Sequence, residues 1–307
     1  MACPSILYPQ LNRETSTLKA GFDYQDLHFS QDSFHLFAGL CAVDDKDNVK
    51  QTFQRLHECG QVCARMGAYK PRTNPYSFQG LGEKCLSYVF ELAGQYGIRV
   101  IAMEVTHEAH IEAIHKHLEQ LGHPTGIMLQ VGTRNAQNFE LLKALGQQTE
   151  YPILYKRGYA NTLEESFQAM EYIAKSGNPK IVFCLRGVAT RLSAPHRNLV
   201  DFAQIPTIKR LTSLSVCVDP SHAVGRNDRA PDHIQDIYHA TAQGLIAGAN
   251  MVLVDFHPFP QNAKVDSQQA IPLSDLEWFI YDLQITREAY LKRQKAAVAR
   301  TDVYEFA

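Results

Sequence analysis

Short apolar runs recur along this chain at His35–Ala38, Arg99–Met103, Ile127–Val131, Pro152–Tyr155, Ile181–Leu185, Leu214–Val218 and Met251–Val254. Each is too short for a helix and apolar at successive positions, as a strand buried on both faces must be. Gly67–Lys70 is a further candidate. Between the runs the period becomes helical. Ile111, Ile114, Leu118 and Leu121 share one face. Thr162-Leu-Glu-Glu165 is a capping box, followed by Phe167, Met170 and Ile173 and stopped at Gly177. Strands alternating with helices predict an α/β chain folded as a single (β/α)8 TIM barrel. An open doubly wound sheet is the competitor, but no Gly-x-Gly-x-x-Gly turn follows an early strand. The expected division is an N-terminal extension over 1–33, the barrel over 34–290 and a C-terminal helical tail over 291–307. The extension is expected to cover the barrel bottom.

Composition serves to exclude. Thirty Lys and Arg against 32 Asp and Glu leave a formal charge of −2, so no global basic field draws the protein to nucleic acid or an anionic membrane. No apolar run approaches the roughly 18–20 residues of a membrane span. The opening Met1-Ala-Cys-Pro-Ser lacks a signal peptide's basic start and apolar stretch. Seven scattered cysteines, an odd number, fit reduced thiols in a cytoplasmic protein.

A TIM barrel carries its chemistry at the C-terminal ends of its strands. Two sets of residues collect there. Arg65, Lys70, Arg72, Arg134, Lys156 and Arg186 form a local cationic excess suited to phosphorylated ligands. Cys41, His222, Asp255 and Asp266 mix thiolate, imidazole and carboxylate, a combination that suits a divalent ion such as Mn, Fe, Co or Zn. His257 is an alternative ligand. Spacing alone leaves open whether the Cys and His are ligands or core residues.

The run Gly67-Ala-Tyr-Lys-Pro-Arg-Thr-Asn-Pro-Tyr-Ser-Phe-Gln-Gly-Leu-Gly82 resembles the signature loop of 3-deoxy-D-arabino-heptulosonate-7-phosphate (DAHP) synthases, in their microbial type I beta-like subfamily. The similarity continues through Leu129-Gln-Val-Gly-Thr-Arg-Asn135, Leu154-Tyr-Lys-Arg-Gly158, Cys184-Leu-Arg-Gly187, Val218-Asp-Pro-Ser-His222 and Asp266-Ser-Gln-Gln269, over roughly Phe34–Asp282. It implies a metal-dependent condensation of phosphoenolpyruvate with erythrose 4-phosphate at the head of aromatic amino-acid synthesis. By that match Cys41, His222, Asp255 and Asp266 are metal positions, and Lys70, Cys41 and His222 are the catalytic set. Arg65, Lys70, Thr133, Arg134, Lys156 and Arg186 contact phosphoenolpyruvate, while Lys70, Pro71, Arg72 and Thr73 hold the aldose phosphate. Asp219 is placed with the substrate-binding residues, and Glu104 is a candidate to orient water. The family also implies a homo-oligomer of two or four copies.

Two positions depart from the family pattern: Leu40 stands where proline is usual, and Asp255 where glutamate is usual. Asp255 is expected to stay in the metal shell, by closer backbone approach or through a bridging water. Two other readings remain open at this point: a related synthase with another aldose acceptor, and a catalytically silent barrel that binds a metabolite or partner.

Overall fold

The computed structural model describes residues 7–16 and 20–304. A hairpin, β1 (Phe22–Tyr24) and β2 (Leu27–Phe29), comes first. Eight parallel strands follow: β3 (His35–Leu40), β4 (Cys63–Met66), β5 (Val100–Val105), β6 (Gly126–Val131), β7 (Ile153–Lys156), β8 (Ile181–Leu185), β9 (Ser215–Val218) and β10 (Met251–His257). Each pairs with the next, and β10 also pairs with β3, Met251 opposite His35, which closes the barrel. A two-residue strand, β11 (Ile271–Pro272), adds to the end of β10.

The crossover helices are α1 (Lys46–Glu58), α2 (Leu86–Gln95), α3 (Glu108–Gln120), α4 (Phe139–Gln147), α5 (Leu163–Ser176), α6 (Ile205–Leu211), α7 (Pro220–Val224) and α8 (Asp236–Ile246). The long α9 (Leu276–Tyr304) ends the described chain and crosses position 290 without a break. Helix α5 starts on the capping box: the Thr162 hydroxyl accepts from the Glu165 amide, and the Glu165 carboxylate accepts from Thr162 N. Among the described residues no helix is long and apolar enough to cross a membrane.

The apolar interior divides in two, as strand alternation requires. One layer lies between strands and helices and includes Leu36, Ala38, Leu40, Ile101 and Met103. The other fills the barrel: Phe37, Cys63, Val100, Ala102, Met128, Leu154, Val182, Cys184, Cys217, Met251 and Leu253, with Phe29 of the hairpin packed among them. The hairpin therefore plugs the N-terminal end of the barrel. Tyr24 Oη accepts from the Ile127 amide at 3.0 Å, fastening it to the start of β6.

The Gly67–Lys70 run is not a strand. The strand is Cys63–Met66, four residues earlier, paired through Ala64 to Ala38 and through Cys63 to Val100. Its only charged residue, Arg65, hides it from a hydrophobicity reading, because that side chain points inward at the barrel mouth. Gly67–Lys70 instead enters a loop, where Lys70 N donates to the Gln79 carbonyl.

Candidate active site

Inward positions recur every second residue, so the inward apolar layer predicts what stands above it. Two residues beyond Cys63 is Arg65; beyond Ala102, Glu104; beyond Leu154, Lys156; beyond Cys184, Arg186; beyond Cys217, Asp219; beyond Leu253, Asp255. On β3 the series runs Phe37, Gly39, Cys41. Gly39 has φ +147°, and a Cβ there would collide with the Arg65 carbonyl, so glycine lets β3 and β4 approach beneath Cys41. At one height the barrel lining thus changes from apolar to charged.

Three of the metal candidates converge. Cys41 Sγ lies 3.7 Å from His222 Nε2 and 3.3 Å from Asp266 Oδ2, and those two are 3.7 Å apart. A tetrahedral ion at ordinary N, O and S bond lengths needs donor separations of about 3.3–3.6 Å, so this triad fits a divalent cation. On the opposite edge of the His222 ring, Nδ1 faces Asp219 Oδ1 at 3.0 Å, which sets the ring with Nε2 toward the triad. Burial holds the His222 pKa below the usual histidine range, against the raising effect of the nearby Asp219 carboxylate. Burial and the Asp255 carboxylate push the Cys41 thiol up, against the pull of Lys70. Burial works against the Asp266 carboxylate, but His222, Lys70 and Arg197 outweigh it and hold its pKa well below the usual range.

Asp255 lies outside this cluster of three. One of its oxygens receives Arg65 Nη1 and the other receives Gln269 Nε2 at 2.6 Å. Each carboxylate oxygen thus accepts one hydrogen bond. His257 is also spent elsewhere, with Nε2 3.1 Å from Asp44 and Nδ1 accepting from Phe259 N.

All of the cationic set but Arg65 lines a cleft of about 370 Å³, whose walls include Lys70, Pro71, Arg72, Thr73, Glu104, Thr133, Arg134, Lys156, Arg186, His222 and Asp266. Lys156 is ion-paired with fully buried Asp219. Lys70 Nζ lies 3.6 Å from Glu104 and 3.3 Å from Cys41 Sγ. Burial alone would lower the Lys70 pKa, but Cys41 and Glu104 outweigh it and raise it above the usual lysine value. Arg186 is 2% exposed, yet its Nε and Nη1 have no hydrogen-bond partner. Burial lowers its pKa, against the attraction of Asp219. Buried donors left open in this way await an anionic ligand. Arg65 Nε is a third such atom.

The sequence reading missed two cleft residues. Tyr159, just past Lys156-Arg157-Gly158, puts its ring 5.1 Å from the Arg186 guanidinium and 5.8 Å from that of Arg134. Arg197 reaches Asp266 Oδ1 at 3.2 Å from the loop after β8. Alternation cannot find Arg197, because loops carry no period. Arg157, next to Lys156, faces away from the barrel interior and pairs with Asp201 at 2.8 Å.

A closed parallel barrel whose mouth joins buried, unsatisfied cations to a Cys-His-Asp triad defines a barrel enzyme for anionic substrates. The DAHP synthetase I family model matches residues 19–291, and the chain belongs to that family. It is 37% identical over 272 residues to phospho-2-dehydro-3-deoxyheptonate aldolase of Thermotoga maritima, covering 89% of this chain and 74% of that protein. A 2-dehydro-3-deoxyphosphooctonate aldolase of Acidithiobacillus ferrooxidans is 25% identical over 268 residues, 83% of this chain and 89% of its own. Among solved structures, DAHP synthase of Thermotoga maritima superposes with a TM-score of 0.80 at 33% identity, covering 91% of this chain and 76% of that one. A truncated form of the Thermotoga maritima synthase gives 0.77 at 30% identity, over 92% and 97%.

Proposed function

We propose that this chain condenses phosphoenolpyruvate with erythrose 4-phosphate and water to give 3-deoxy-D-arabino-heptulosonate 7-phosphate and inorganic phosphate, the first step of the shikimate pathway. The observation that carries this is that Arg186, with two open buried donors, lines the same cleft as His222 and Asp266 of the triad. Lys156, Arg186, Arg134, Thr133 and Arg65 bind the phosphate and carboxylate of phosphoenolpyruvate. Arg72 and Thr73, with Pro71, hold the phosphate of the aldose. Two polyanions that repel in water are thereby held face to face.

Cys41, His222 and Asp266 would hold a divalent cation of the Mn, Fe, Co or Zn kind, which when bound would supply Lewis-acid polarisation of the aldehyde. The methylene carbon of phosphoenolpyruvate forms the new carbon–carbon bond at the aldehyde carbon. The Lys70 ammonium gives its proton to the oxygen that becomes the hydroxyl. Water adds at the former enol carbon, with Glu104 placed to take its proton, and the carbon–oxygen bond to phosphate then breaks. Asp219 keeps Lys156 and His222 oriented throughout. A cytoplasmic location and a homo-oligomer of two or four copies belong to the same reading; sedimentation tests the latter.

The test is phosphate release from phosphoenolpyruvate with erythrose 4-phosphate, arabinose 5-phosphate and ribose 5-phosphate, with and without chelator. Release is expected with erythrose 4-phosphate, lost with chelator and restored by Mn or Co. Arg72→Ala should raise the KM of the aldose phosphate and leave that of phosphoenolpyruvate unchanged. Preference for arabinose 5-phosphate would assign another acceptor, and chelator-resistant turnover of metal-free protein would remove the metal from the reaction.

A further inference from the structure

Asp255 is not in the Cys41–His222–Asp266 cluster, and two groups touch both it and the triad. The first is the His222 ring. Asp255 Oδ2 lies 3.8 Å from His222 Nδ1, whereas the triad gathers at Nε2. The second is the Arg65 guanidinium, which gives Nη1 to Asp255 and places Nη2 3.8 Å from Cys41 Sγ. The guanidinium thus contacts both the carboxylate and the thiol. Arg65 and Asp255 are 2% and 1% exposed, and pulling Asp255 toward the triad would strand a buried guanidinium without its counterion. Gln269, fully buried, donates to the other oxygen of Asp255 at 2.6 Å.

We propose that Asp255 is a positioning residue that anchors Arg65 in the barrel mouth, and that Cys41, His222 and Asp266 are the whole protein contribution to the metal shell. The remaining coordination positions then belong to water and substrate. This rests on the reading above that the triad holds a divalent cation. It adds that the site has three protein ligands and that the carboxylate of β10 serves the substrate cations instead.

The experiment titrates metal-free protein with Co(II), followed by its thiolate charge-transfer and ligand-field absorption. It compares wild type, Asp255→Ala, the uncharged pair Arg65→Met/Asp255→Leu, and Asp266→Ala. The double variant removes both buried charges together, so it keeps the measurement open should the single variant fold poorly. Asp255→Ala and the double variant should bind cobalt within about threefold of wild type, with unchanged bands. Asp266→Ala should weaken binding by at least about tenfold and shift the ligand-field bands. Phosphoenolpyruvate affinity of metal-free Asp255→Ala, by calorimetry, should fall about tenfold as Arg65 loses its anchor. Cobalt affinity lost equally in Asp255→Ala and Asp266→Ala would make Asp255 a ligand and overturn the proposal, leaving the proposed reaction standing. Undiminished cobalt binding in Asp266→Ala would overturn both. Undiminished phosphoenolpyruvate binding in Asp255→Ala would overturn the anchoring role.

Discussion

Lys70, at the barrel mouth, and Lys209, on α6 near the plugged end, are displaced in opposite directions. Lys70 is the more deeply buried, yet its pKa lies above the usual lysine value, because Cys41 and Glu104 outweigh the cost of burial. Lys209 is only partly buried, and burial lowers its pKa to about 8, with Asp32 too weak to compensate. Burial alone does not set the charge of a lysine; the balance between burial and the counter-charges around it does. The same contrast separates the two ends of the barrel. The plugged end is held by apolar contact, Phe29 among Phe37, Met128 and Leu253. The mouth is held by ion pairs and keeps unsatisfied donors on Arg65 and Arg186. One end is built for stability and the other tolerates instability for binding.

The sharpest way to break this contrast is at the plug. Phe29→Ala removes a side chain that is 1% exposed and should cost about 3–5 kcal/mol of stability, read by denaturant unfolding. The KM values for both substrates should stay as they were. A changed KM with unchanged stability would show that the hairpin reports to the mouth.

At the mouth the expectation reverses. Arg186→Leu should cost about 2–4 kcal/mol of kcat/KM for phosphoenolpyruvate, because a desolvated charge-assisted contact is lost. The ligand-free protein should become more stable, since a buried guanidinium with two open donors is gone. Thermal unfolding with and without phosphoenolpyruvate separates the two effects. A destabilised variant would mean that Arg186 holds the fold together.

The smallest effect concerns Lys209. Its folded pKa lies below that of the unfolded chain, so between about pH 8 and 10.5 the unfolded state binds the extra proton. Below that window both states are protonated and the folded protein carries the whole burial penalty; as pH rises through it, stability increases. Lys209→Met should abolish this rise and make the protein slightly more stable at pH 7.5, measured as denaturation midpoints at pH 7.5 and 9.5. An identical pH trend in the variant would place the titrating group elsewhere.

Much of the molecule is legible in the chain itself. Parallel strands buried on both faces must be short continuous apolar runs, which is why seven of the eight barrel strands stand out in the sequence. Period-two alternation then carries inward apolar residues to inward charged ones, from Leu154 to Lys156 and from Cys184 to Arg186. The same step leads from Ala102 to Glu104. What alternation specifies is which face of a strand a residue occupies. It does not specify which of two neighbouring groups a carboxylate will choose. Asp255 is placed by its strand at the mouth, but only the closed barrel brings Arg65 of β4 into contact with both it and Cys41, just past β3. Arg197 reaches Asp266 across 69 positions of sequence by the path of a loop. Strand and helix periods are local and survive in the sequence, whereas ion-pair choice depends on distances of a few ångströms between distant segments, and those exist only once the barrel has closed.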